Sequence, residues 1–183
     1  MTTVAGPTSR SSSTVSAAGA AGALALSCRE VRTEWERAAC FRIRYQVFVC
    51  EQRLFRAPGS GHGDDRDGHD AESATVHVIG LAGDDIRGTV RLYPLAEPGM
   101  WQGDRLAVLP ESRHLGLGAP LVRFAVATAA ARGGREMEAY IQPANVTFFE
   151  WLGWRPTGGL VTYAGVPHQR MLIGLRVSRG PAT

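Results

Sequence analysis

The stretch Leu106–Pro120 reads LAVLPESRHLGLGAP, and its reading decides the fold. A short apolar strand, Arg105 to Leu109, runs towards Arg113. Gly116 and Gly118 follow, and an apolar helical pattern starts at Ala119. Arg113, Gly116 and Gly118 together spell R-x-x-G-x-G. A glycine-rich turn opening a helix leaves the first backbone N–H groups without intrahelical partners. The helix dipole adds partial positive charge at the same point. Such a corner suits a pyrophosphate, and Arg113 adds a fixed cation to it. The competing reading is a plain strand–turn–helix corner with glycines for tightness.

The neighbouring residues choose among phosphate binders. A P-loop needs Gly-Lys-Ser/Thr, whereas Gly118 is followed by Ala119 and Pro120. A Rossmann turn needs a third glycine where Leu121 stands, and it belongs near the first strand of the chain. The spacing R-x-x-G-x-G fits a loop that holds acetyl-coenzyme A. Pro120 is compatible, because a first-turn proline gives up an N–H that has no intrahelical partner anyway.

Working outward, the 183 residues are 44% hydrophobic, enough for one substantial core. The net charge of +3 has no dense Lys/Arg run behind it, which argues against a nucleic-acid or membrane face. It suits a polyanionic ligand. Three cysteines, Cys28, Cys40 and Cys50, lack a C-x-x-C spacing and read as free thiols in a reducing, cytoplasmic compartment. Residues 1–23 are rich in Ala, Ser and Gly and read as a disordered tail rather than a secretion signal, leaving 24–183 as one domain.

That domain reads as mixed α and β. Leu24 to Val31 suggests a strand; Thr33 and Glu36 form a T-x-x-E capping box; Trp35, Ala39, Ile43 and Val47 recur at helical spacing. Arg56 to Ser73 reads as a loop, and Val76–Leu81 with Ile86–Leu95 as a hairpin around Gly83-Asp84-Asp85. A helix spans Ala119 to Arg132, ended by Gly133-Gly134. A strand covers Glu136 to Ile141, a short helix capped by Asn145 runs to Leu152, and a last strand covers Gln169 to Val177.

Three segments in this order resemble the GNAT superfamily of acetyl-coenzyme A-dependent N-acetyltransferases. They are RYQVFVCEQ (Arg44–Gln52), the strand and loop DRLAVLPESRHLGLGAPLV (Asp104–Val122), and FFEWLGW (Phe148–Trp154), close to the family's F-Y-E-K-L-G-F. The first is also related to a segment of acyl-homoserine-lactone synthases. Their arrangement looks most like a bacterial subgroup linked to nitrogen starvation. The resemblance implies an α/β (α+β) fold: a single domain whose mixed sheet of six to seven strands splays at the cofactor site between flanking helices.

It also implies roles. Backbone groups of Leu106, Ala107 and Val108 pair with pantetheine as an added strand would. Amides of Arg113, His114, Leu115, Gly116, Leu117, Gly118 and Ala119 hold the pyrophosphate. Asn145, Phe148 and Phe149 flank pantetheine and thioester. Phe149 stands where many relatives carry the tyrosine that protonates the leaving sulfur, so that acid is missing. Glu51, Asp104, Gln142 and Tyr163 are the catalytic candidates, with Tyr140 a second hydroxyl. Arg44, Phe48, Glu51, Arg91 and His168 are candidates for holding the acceptor.

The implied activity is transfer of an acetyl group from acetyl-coenzyme A to the amine of a small metabolite. No nucleic acid or membrane is expected, and a homodimer is compatible. Alternatives are a non-turning acyl-coenzyme A sensor, which Phe149 permits, and a transferase with a longer acyl donor. The loop Gly61–Glu72 (GHGDDRDGHDAE) carries metal-ligand residue types but no metal-site spacing, so no metal is expected. It reads as a solvated acceptor-side loop whose Asp67 and Asp70 shape the acceptor pocket and repel anions.

Overall fold

A computed structural model describes residues 24–55 and 63–175; the Ala/Ser/Gly-rich tail lies outside the described residues. Seven strands form one open mixed sheet in the order β1-β2-β3-β4-β5-β7-β6. β1 (Leu26–Glu30), β2 (Val76–Ala82), β3 (Asp85–Pro94) and β4 (Met100–Val108) are antiparallel neighbours. β5 (Glu136–Ile141) joins β4 in parallel. β7 (Val166–Gly174) returns antiparallel to β5, and β6 (Arg155–Tyr163) is the outer edge. The helices are α1 (Glu34–Arg44), α2 (Gly118–Ala131) and α3 (Val146–Trp151). The fold is α+β, as the resemblance implies.

The two sheet faces have different covers. On one, Leu121, Val122, Ala125 and Ala129 of α2 bury against Val78, Val90, Leu92, Met137 and Met171. Gly88 lets this helix sit close, since a Cβ there would lie 2.9 Å from Leu121 Cδ1. On the other face Ile43 and Val47 pack on Ala107. Here α1 widens into a π-helical turn, Tyr45–Glu51, closed by the Gln52 N–H donating to the Val47 carbonyl at 3.0 Å. The wider turn rotates the side chains out of α-helical phase, so Val47 and Val49 both bury.

Several local expectations need correction. Trp35 is 64% exposed, so the apolar stripe of α1 starts at Ala39. Thr33 accepts from the Glu36 N–H at 3.2 Å, but the Glu36 carboxylate reaches back to Arg32 N–H and Arg29 rather than to Thr33. Asn145 makes no side-chain cap; it ends a 3-10 turn, Pro143–Asn145, that leads into α3. β4 starts at Met100, five residues before the expected Arg105. Strand β6 leaves no apolar pattern in the sequence, because it is exposed along nearly its whole length and carries Pro156 and Gly158-Gly159.

β4 and β5 pair only over Met100↔Glu136, Trp101↔Met137 and Gln102↔Glu138, then part. β4 bulges just beyond. Its register against β3 slips from Arg91↔Asp104 to Thr89↔Ala107, leaving Arg105 and Leu106 opposite Val90. Arg105 takes φ +52° to accommodate this. A bulge bends its strand and raises its twist, and here it coincides with the opening between the two strands.

Candidate active site

The glycine loop leaves fewer amides free than the spacing suggests. Pro110–Leu115 coils into a 3-10 helix, and Gly116 (φ +76°) reverses the chain. The Gly116 N–H donates to the Arg113 carbonyl at 3.1 Å and is thereby occupied. Among the described residues the amides of Leu117, Gly118 and Ala119 have no backbone acceptor, and they head the 14-residue α2. Of the expected run from Arg113 to Ala119, these last three amides thus stand free, where the dipole is strongest. The Phe148 ring stands beside them, its Cζ 3.6 Å from where a Gly118 Cβ would lie.

Arg113 is engaged within the chain. Its guanidinium donates to both Glu51 oxygens, at 2.7 and 2.6 Å. Those hydrogen bonds hold the Glu51 carboxyl below its ordinary value. The carboxylate expected to face the acceptor thus faces Arg113 of the glycine loop instead.

A cavity of about 220 Å³ opens where β4 and β5 part. Its walls divide by sheet face. Val122 and Ala125 of α2, Met137 and Ala139 of β5, Phe149 and Trp154 make an apolar half. Alternation along β5 turns Tyr140 to the opposite face. There Asp104, Arg105, Gln142, Tyr163 and His168 make a polar half, closed by Phe48, Gln52 and Phe55. Leu106 and Asn145 also reach the wall. Phe149 is buried and edge-on to Trp154, with ring centroids 5.5 Å apart.

Behind the polar half lies a buried ion network. Arg44, wholly buried, donates to Asp65 at 2.5 Å and to Asp70 at 2.6 Å. Arg91 grips both Asp104 oxygens (2.8 and 2.6 Å) and both Asp67 oxygens (2.6 and 2.8 Å). Arg105 donates to Asp67 at 3.0 Å, to the Asp65 carbonyl, and to the Tyr163 hydroxyl at 2.7 Å. Burial alone would raise the Asp70 carboxyl; the hydrogen bonds and charge of Arg44, with the charge of Arg91, hold it well below the usual carboxylate range. Three guanidiniums thus meet four carboxylates.

This network corrects two expectations. Asp65 and Asp70 are buried, so this part of the acidic loop is not solvated. Arg44 and Arg91, expected to hold the acceptor, sit behind the cavity wall with their donors engaged. Of the other acceptor candidates Phe48 and His168 line the cavity, as do the catalytic candidates Asp104, Gln142 and Tyr163. Gln142 donates to Gln52 at 2.9 Å, tying the end of β5 to the end of the π-helical turn. Sequence reasoning missed the apolar wall. Its only signal is that Met137 and Ala139 alternate with polar residues on a strand that reads as half-buried. Among the described residues no group of three or more His, Cys, Asp or Glu is arranged to hold a metal.

Residues 35–154 match the sequence model of the Acetyltransferase (GNAT) family, so the chain belongs to that family. The family implies acyl transfer with an acyl-coenzyme A co-substrate. No curated protein sequence matches the chain. Among solved structures it is similar to a putative N-acetyltransferase from Lactobacillus plantarum at 25% identity, covering 83% of this chain and 99% of that one, with TM-score 0.70. It also shares its fold with FeeM, an N-acyl amino acid synthase from uncultured soil microbes (15% identity, 83% and 92% covered, TM-score 0.68). A third similar fold is BjaI, a coenzyme A-dependent acyl-homoserine lactone synthase (19% identity, 85% and 84% covered, TM-score 0.65). No helix among the described residues is long and apolar enough to cross a membrane.

Proposed function

We propose that the chain transfers an acetyl group from acetyl-coenzyme A to the amine of a small metabolite by direct attack. The carrying observation is the two-faced cavity at the parting of β4 and β5, with free amides at the head of α2 on its apolar side. The diphosphate lies on the amides of Leu117, Gly118 and Ala119, with Arg113 turning from Glu51 to join it. Pantetheine runs along the unpaired edge of Leu106–Val108. The thioester then reaches the gap between the apolar and polar walls.

The polar half suits an amine. Its backing network holds one more carboxylate than guanidinium, which favours a cationic acceptor over an anion. An alkyl ammonium resembling lysine has a pKa of about 10.4 and must lose a proton before attack. Tyr163 supplies a donor for the leaving sulfur in place of the missing tyrosine at Phe149. Arg105 donates into its oxygen at 2.7 Å and leaves the hydroxyl hydrogen free. Gln142 positions the acceptor or a water at the mouth. We further propose membership in the nitrogen-starvation-linked subgroup, a reading carried by the three sequence motifs alone.

Release of free thiol from acetyl-coenzyme A over a panel of amines tests the reading. Turnover with at least one amine is expected, and tight cofactor binding without turnover would leave a sensor. A longer acyl donor is the second reading, favoured by the apolar wall of Val122, Ala125, Met137 and Trp154. Faster release from octanoyl- than from acetyl-coenzyme A would select it.

A further inference from the structure

We infer that His168 is the general base that takes the proton from the acceptor ammonium, an assignment that rests on the acyl-transfer reading. His168 lies on β7 opposite Val161 of β6 and is 5% exposed, yet it forms part of the cavity wall. Its Nδ1 sits 3.0 Å from the Val166 carbonyl oxygen. A carbonyl only accepts, so Nδ1 carries the hydrogen and the lone pair of the neutral ring lies on Nε2. Among the described residues no side chain bonds Nε2. The Tyr163 ring meets the imidazole edge-on, centroids 5.4 Å apart at 88°, and fixes its plane. The chain thus holds one tautomer ready to receive a proton.

The other titratable groups around the cavity are already engaged or of the wrong kind. Both Asp104 oxygens accept from Arg91, and Arg105 lies 3.6 Å from one of them. Glu51 is held by Arg113 outside the wall. Tyr93 on β3, Tyr140 on β5 and Tyr163 on β6 carry hydroxyls, which act as donors. Arg105 on β4 has only donors, and they are engaged. Of these groups the imidazole presents an unengaged ring nitrogen that can accept a proton.

The step balances. His168 Nε2 takes one proton from the ammonium, leaving a neutral amine and an imidazolium. The amine lone pair forms the C–N bond at the thioester carbonyl carbon. As the C–S bond breaks, its electron pair leaves on sulfur, and the second amine proton passes to that sulfur through the Tyr163 hydroxyl. The imidazolium returns its proton to solvent.

His168→Asn isolates the role, because the Asn side-chain amide stands in for Nδ1–H towards Val166 while Nε2 is lost. With an amine that the wild-type chain acylates, kcat is expected to fall about a hundredfold or more. The acid limb of the kcat/KM profile disappears, while acyl-coenzyme A affinity and Tm stay unchanged. His168→Gln gives the same profile if the Asn variant unfolds. Wild-type kcat with its acid limb intact in a folded variant overturns the assignment. A wild-type chain that binds acyl-coenzyme A but acylates no amine overturns the enzyme reading, and the base falls with it.

Discussion

The two regions proposed to hold the cofactor and the acceptor are built in opposite ways. The first comes from neighbouring residues: the strand, the arginine, the glycines and the helix start all lie within Leu106–Val122. The second, the polar wall of the cavity and the network behind it, comes from residues far apart in the chain. Arg44 meets Asp65, Arg91 meets Asp67 and Asp104, and Arg105 meets Tyr163 across 58 positions. One is a local motif that offers free backbone amides and a helix dipole. The other is a tertiary network whose charges hold each other and leave few groups free. Under the proposed function, the local motif fixes the cofactor and the tertiary network sets the acceptor.

The comparison breaks most visibly at Arg44. Arg44→Ala leaves Asp65 and Asp70 buried without their cation, and a loss of about 3–5 kcal/mol in chemical unfolding is expected. A loss under about 1 kcal/mol would mean that the network is solvated rather than structural. Gly118→Asp strikes the other region. The nearest heavy atom to a Cβ there is Phe148 Cζ at 3.6 Å, so the fold accommodates it. The added carboxylate competes for the helix N-terminus and repels the diphosphate. Calorimetry is expected to give acyl-coenzyme A binding weaker by about a hundredfold or more, near 2.7 kcal/mol.

Acid sharpens the contrast. Burial pushes the His77 imidazole down to about 4, despite the nearby Asp70 carboxylate. Its folded value lies below the unfolded one of about 6.5, so protonation favours the unfolded chain. Stability is full above about pH 6.5 and declines as pH falls towards 4. His77→Leu is expected to flatten that slope in thermal melts across the same window. Asp70 and Asp67, both depressed, add a further loss below the ordinary aspartate value of about 3.9. The smallest effect is at the seam between the two regions. Glu51→Gln frees Arg113 and is expected to tighten acyl-coenzyme A binding two- to fivefold, about 0.5–1 kcal/mol, as for an exposed ion pair. Weaker binding would show that Glu51 holds Arg113 in place for the phosphates.

The same contrast decides what the sequence makes legible. Strand β5 matches its reading because Met137, Ala139 and Ile141 alternate along it and all bury. α2 is legible because Leu121, Ala125 and Ala129 repeat at helical spacing and do bury. The first half of β4 is not, since Gln102, Gly103 and Asp104 carry no apolar run and gain their strand partners from β3 and, at Gln102, from β5. The acidic loop reads as solvated because its aspartates are polar; only the folded chain brings Arg44, Arg91 and Arg105 to them. Glu51 ends the first helical segment, and the π-helical turn and Arg113 set its direction in a way that the sequence does not show.

The proposed function requires an acyl-coenzyme A diphosphate to rest on the amides at the head of α2. Titration of the full chain with acetyl-coenzyme A in a calorimeter tests it most directly. Saturable heat at one site, competed by coenzyme A, is the predicted result. No heat at millimolar cofactor would contradict it.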